Sequence, residues 1–185
     1  AMIYYDQPQI FAPGLEQKII HKTRELIPET FHAPEGKGTD GIPPKSPRQS
    51  MRQLKTHADL SIELVATEPL IASPVAIDWD AQGRMWVIEM FDYPSGTDGD
   101  WKPGGRVKRL EDRDADGVFD HAVSFLEGIP FPTGILCWGH GVFICAAPDI
   151  LYAEDLNDDG VPDKVETVFT GFASDNYQAR VNSLS

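Results

Sequence analysis

The residues with the clearest chemistry lie in one run, Asp155-Leu156-Asn157-Asp158-Asp159-Gly160-Val161-Pro162-Asp163-Lys164-Val165-Glu166. It fits the pattern D-x-[DN]-x-[DN]-G-x5-E at every defined position. A hard divalent cation takes about six to eight oxygens from a chain able to wrap round it. Asp155, Asn157 and Asp159 would give side-chain oxygens, Val161 its carbonyl, Asp163 an oxygen directly or through water, and Glu166 a bidentate carboxylate. Gly160 supplies the sharp turn. A second copy stands earlier, with Asp112, Asp114, Asp116, Val118 and Asp120 in the matching places, but Val123 occupies its twelfth position. The chemistry is that of Ca2+, held structurally and weakly, at about 10⁻⁴–10⁻³ M as in extracellular modules. The plain alternative is that Asp and Gly simply make good hairpin turns.

Elements must position these loops. The copies are 43 residues apart, and Glu111-Asp112 matches Glu154-Asp155 as Gly117-Val118 matches Gly160-Val161. A helix on each side of each loop would make an EF-hand pair. The flanks Ile150-Leu151-Tyr152 and Val165-Glu166-Thr167-Val168-Phe169 are β-branched and aromatic instead, and read as strands. A repeat of about 40–50 residues built of short strands is the spacing of β-propeller blades. The expected fold is all-β: a partial β-propeller of about two blades of antiparallel strands, preceded by a short helical or irregular leader.

Charge divides the chain near residue 60. Residues 1–60 hold eight Lys/Arg and seven Asp/Glu, and residues 61–185 hold eight and twenty-two. An acidic body excludes nucleic acid and anionic membrane as direct partners, because phosphates are bound by basic surface. No apolar run is long enough to insert in a membrane. Cys137 and Cys145 show neither haem-attachment nor zinc spacing and read as buried thiols in adjacent strands.

In chain order, residues 15–27 carry apolar residues at helical spacing and end at Pro28, while His21 and His32 have no partner pattern. Residues 33–47 are a Pro- and Gly-rich linker, so the leader spans 1–46 and the strand-rich part 47–185. Ser46-Pro47-Arg48-Gln49 predicts a capping box opening a helix to about Leu54. Strands are expected over 62–66, 75–79, 84–90, 106–110, 122–126, 133–138, 142–146, 150–153 and 165–169. Trp79, Trp86 and Trp138 are expected in the core, and His140 exposed at its turn. The start at Ala1-Met2, and a further strand beginning near Leu184, predict a piece of a longer protein with an unpaired sheet edge.

Glu89, Asp92 and Tyr93 stand where a strand enters the long loop 91–105, and Arg180 and Asn182 lie in a polar patch after Gly171. Glu89 could act as a base, and Arg180 could clamp a cofactor or substrate carboxylate beside Asn182. The structural alternative makes Glu89 an acid satisfied by a nearby Arg or backbone amide. Trp101, in the loop, could serve either packing or ligand.

Several runs together resemble one family. They are Glu63–Leu70, Pro74–Asp80, Val87–Met90 with Tyr93-Pro94, Gly104–Val107, Phe131–Ile135, Ala146–Tyr152 and Gln178–Asn182, in that order. They resemble the opening of the planctomycete-type membrane-bound dehydrogenase domain, which goes with haem-binding CxxCH proteins, over roughly residues 47–185. The resemblance implies an exported, periplasmic and membrane-associated β-propeller related to quinoprotein sugar dehydrogenases. It also implies a sugar- or polyol-like substrate, a PQQ-like quinone near Arg180 and Tyr93, and a c-type haem in the longer parent. The rest of the parent propeller would be the chain's partner. Two other functions fit the same residues: a non-catalytic propeller that binds carbohydrate or protein, and a calcium-dependent lactonase-like hydrolase.

Overall fold

A computed structural model describes residues 45–97 and 99–184. The helix expected over 15–27, His21, His32 and nearly all of the linker lie outside the described residues. The first described element is helix α1 (Pro47–Met51). Its capping box forms as the sequence predicts: the Gln49 amide donates to Ser46 Oγ at 3.3 Å, and the Ser46 amide to Gln49 Oε1 at 2.9 Å. The helix stops short of Leu54 because none of its residues is buried, and a cap alone does not sustain a longer helix.

Eight strands follow: β1 (Pro74–Trp79), β2 (Met85–Glu89), β3 (Gly105–Glu111), β4 (His121–Ile129), β5 (Gly134–Trp138), β6 (Gly141–Ala146), β7 (Asp149–Glu154) and β8 (Lys164–Thr170). They form two four-stranded antiparallel sheets, ordered β1-β2-β3-β4 and β5-β6-β7-β8. Each sheet is a meander, so every connection joins neighbouring strands. Tight turns suit the first hairpin. Asp80 accepts the amides of Gln82 and Arg84, and Gly83 takes a left-handed φ of 79°.

The sheets meet face to face along β1, β2 and β5. Period-two alternation puts Trp86 and Ile88 of β2, Val107 of β3 and Phe125 of β4 on the shared side. Ile135, Val142, Ile144 and Ala153 oppose them from the second sheet, and Trp86 meets Phe125 edge-on at 4.8 Å. The other face of the first sheet, with Met85, Val87 and Leu110, is covered by Ala66, Leu70, Ile71 and Phe119. A buried side chain of this kind contributes roughly 1.5–3 kcal/mol.

Three expectations are corrected. Residues 62–66 are not a strand: the Phe119 amide donates to the Val65 carbonyl, but no neighbouring strand offers 62–66 a ladder. Trp79 and Trp138 are not core. Each ends its strand, and they are 51% and 67% exposed, whereas Trp86 is 3% exposed. Cys137 and Cys145 do behave as packed thiols, on opposite faces of the second sheet, and both are free. Burial, reinforced by the charges of Asp78 and Asp80, pushes the Cys137 thiol up to about 12.

Strand direction gives the sheets two ends. The β1–β2 turn, the β5–β6 turn at Gly139-His140 and both acidic loops lie at one. His140 is exposed there, as expected. The long 90–104 loop, 130–133, 147–148 and the segment after β8 lie at the other. Close backbone approach holds the strands in place. A Cβ added to Gly141 would stand 2.2 Å from the Ala153 carbonyl oxygen, inside the β6–β7 ladder. Gly141→Ala should therefore destabilise the fold by about 2–3 kcal/mol, read as a lower urea midpoint. An unchanged midpoint would mean the ladder has room there.

Candidate functional site

At the acidic end the two loops share most of their turn hydrogen bonds. The Gly117 amide donates to Asp112 Oδ2 at 2.8 Å, and the Gly160 amide to Asp155 Oδ2 at 2.9 Å. The Val118 and Val161 amides donate to Asp116 and Asp159, both at 2.8 Å. Arg113 and Leu156 donate their amides to Asp120 and Asp163, closing each loop across its neck. Ala115 and Asp158 take φ of 59° and 61° at the same place. The acids thus act first as acceptors for turn amides, a job Asp and Asn do well.

The loops differ in their surroundings. In the first, the carboxylate oxygens of Asp112, Asp114 and Asp116 lie within 4.8 Å of one another. Repulsion from Asp116, followed by some burial, raises the Asp114 pKa above the ordinary carboxylate value. In the second, the neighbouring sheet supplies guanidiniums. Arg109 of β3 reaches Asp155 Oδ2 at 3.2 Å and Asp158 Oδ1 at 2.9 Å, and Arg84, next to β2, pairs with Asp158 and with Asp80. Arg109 and Asp155 are both buried, and Asp155 Oδ1 has no partner at all. Glu166, the expected twelfth ligand, stands within β8 opposite Tyr152 and pairs with Lys164 at 2.7 Å. Asn157, Asp159, Val161 and Asp163 remain on the exposed turn.

At the other end Glu89 and Arg180 are buried and engaged with the protein's own groups, while Asn182 is exposed. Glu89 has no exposed surface: it accepts the Ala72 amide at 2.6 Å, pairs with Arg106 and lies 3.5 Å from Lys108. Such a carboxylate ties strand to loop and has no open face for a substrate. Asp92, equally buried, takes the amides of Gly104 and Phe131 and fastens the long loop to the end of β4. Arg180 is nine-tenths buried, with its guanidinium carbon 3.9 Å from the Phe131 ring centre, and its Nη2 donates to the Ser174 carbonyl at 3.4 Å. Asn182 is exposed beside the start of β5, where Gly134 leaves room for the chain of 182–183. Trp101 packs against Phe131 at 6.0 Å but stays more than half exposed.

Tyr93 is half-exposed and meets Tyr177 edge-on at 5.7 Å. Together with Met90, Gln178, Ser73 and Pro74 the two tyrosines line an open recess of about 560 Å³. Sequence reasoning missed Tyr177, Phe131, Arg84, Arg109 and Asp158. A charged residue in the inward phase of β3, as Arg109 is against Val107, was the signal for the ion pair.

The buried pair sets the first expectation. Arg109→Ala leaves the Asp155 charge unpaired and should cost about 3–5 kcal/mol, while Arg113→Ala, on the exposed first loop, should cost little. Equal urea midpoints for the two variants would contradict this reading. Hydrogen bonding and charge from Arg84 hold Asp158 below the ordinary carboxylate pKa. Its stabilisation is therefore present above about pH 3.9, the ordinary Asp value, and is lost as pH falls through the depressed one. In Arg84→Ala the Asp158 titration should move up, followed by carboxyl NMR.

A family model described as a domain of unknown function, DUF7133, matches residues 46–185. No curated protein and no solved structure matches the chain. No helix among the described residues is long and apolar enough to cross a membrane.

Proposed function

The chain belongs to the DUF7133 family, and on that premise we propose that it is the amino-terminal part of an exported β-propeller that takes a sugar- or polyol-like ligand. In this reading each four-stranded meander is a blade, β1 and β5 are the inner strands, and the acidic hairpins bind Ca2+ in a structural role. The parent would be the dehydrogenase-type protein that the sequence resembles, working outside the cytoplasm where calcium is plentiful.

One observation carries the ligand reading: the recess formed by Tyr93, Tyr177 and Gln178 at the loop end. Aromatic rings beside an amide suit a ligand with an apolar ring face and a hydroxyl rim. Oxidation would need a redox group. Arg180, turned onto Phe131 and buried, does not fit a clamp for the carboxylates of a quinone. A quinone and a c-type haem would accordingly be held by the rest of the parent, with the recess serving substrate binding alone. The full pairing of Glu89 favours a second reading, in which the propeller binds carbohydrate without chemistry.

Two measurements test this. Glucose and a linear polyol, titrated against the chain, should shift the NMR signals of Tyr93, Tyr177 and Gln178, and Tyr177→Ala should abolish the shifts. In the longer parent, dye-linked oxidation of the same sugar should fall with that variant. Shifts without oxidation would select the binding reading, and no shifts would end both. For calcium, ten times the dissociation constant stabilises by about 1.4 kcal/mol. Melting temperature should then rise by roughly 3–6 °C over a chelator, and no rise would return the loops to plain turns.

A further inference from the structure

Among the differences between the two acidic loops, one atom and one position bear on the joint between the sheets. In the first loop both oxygens of Asp112 are occupied, by the Asp116 amide at 3.2 Å and the Gly117 amide at 2.8 Å. In the second, Asp155 Oδ2 holds the Gly160 amide and Arg109, while Oδ1 is buried with no partner. The side chain is 3% exposed, so water does not readily satisfy that oxygen. It belongs to the residue that opens a calcium loop, and it sits on a carboxylate already turned into that loop by the Gly160 amide.

The fourth position is the other difference. Position four is not a ligand in such a loop. Here it is Asp158, whose Oδ1 takes Arg109 at 2.9 Å and also Arg84, and in the first loop it is Ala115. The guanidiniums therefore use Asp158 and Asp155 Oδ2, and a cation would use Asp155 Oδ1, Asn157, Asp159 and the Val161 carbonyl. The two kinds of positive charge need not share an oxygen. Arg109 lies in the first sheet and Arg84 in the turn that leads into its β2 strand, while the loop belongs to the second sheet. A cleft of about 340 Å³ between them is lined by Asp80, Arg84, Arg109, Asp155, Asn157 and Asp158.

We propose that the second loop is a Ca2+ site coupled to the joint between the two sheets: cation on Asp155 Oδ1 fixes the carboxylate that Arg109 holds, and tightens the arginine clasp. This rests on the calcium reading above and adds that one loop is local while the other is a pin. The first loop, with no acid at position four, grips no neighbour in this way. Coupling between two sites is usually worth a factor of about 5–150, so the joint should respond measurably.

A reporter stands at the joint. The Cys137 amide of β5 donates to Asp78 Oδ2 of β1 at 2.7 Å, bridging the sheets. The experiment is residue-resolved hydrogen exchange of the full chain carrying Asp114→Ala, which removes a ligand of the first loop only, with and without calcium. Calcium should bind by calorimetry and slow Cys137 exchange about tenfold. In a second chain that adds Asp158→Ala, calcium should still bind but no longer slow it. Alanine already holds that backbone geometry at Ala115, so this variant should fold. Equal slowing in both chains, or binding without slowing, overturns the coupling and leaves calcium binding intact. Binding that Asp114→Ala abolishes places the ion in the first loop alone and also overturns it. No binding to the unmodified chain removes the calcium reading and the coupling together.

Discussion

A guanidinium buried between two sheets must be compensated, because an isolated charge in that setting costs several kcal/mol. Arg109 is such a group, on the inward side of β3 between Trp86 and the second acidic loop. Its compensation comes from across the joint, from Asp155 and Asp158, with Glu111 at 3.3 Å on its own sheet. That requirement constrains the register between the sheets, since apolar packing such as that of the cluster holding Ile88 and Ile144 tolerates sliding more than an ion pair of this geometry does. The same carboxylate takes the Gly160 amide, so the joint and the turn share one side chain. A Cβ at Gly160 would lie 2.9 Å from Val123 of β4, which keeps the loop pressed on the first sheet.

The opposite end solves the same problem within one sheet. Glu89 gathers Arg106, Lys108 and the Ala72 amide, and Asp92 fastens Gly104 and Phe131. Both acids hold irregular chain against regular strands, and at the same end Tyr93 meets Tyr177 at the surface. Buried carboxylates therefore do the structural work at each end. The residues left open, the turn acids and the tyrosine recess, are the ones free to meet a ligand.

Much of this was legible in the sequence. Hairpin strands were readable because alternation and turn chemistry agree, as at Val75–Trp79, Asp80–Gly83 and Arg84–Met90. The 43-residue repeat was readable because the same Asx bonds are formed twice. What failed depended on neighbours. Ile62–Ala66 alternates like a strand but has no partner to pair with, and Trp79 and Trp138 end their strands beyond the shared core. Glu89, at the end of a strand, could equally have been a base or an anchor, and only the position of Arg106 and Lys108 across the ladder separates the two.

The loops carry that point furthest. Pattern alone ranks the second above the first, because Glu166 completes its twelve positions. Yet Glu166 is in β8, opposite Tyr152, and strand geometry rather than a following helix decides where its side chain goes. The case for the second loop instead rests on Asp155 Oδ1, an atom whose isolation follows from the sheet packed against it. In the first loop the same residue type spends both oxygens on amides, and Asp114 bears the crowding of Asp116 in the open. Similar local sequence thus gives similar turns, and the neighbouring sheet decides which turn keeps an oxygen to spare.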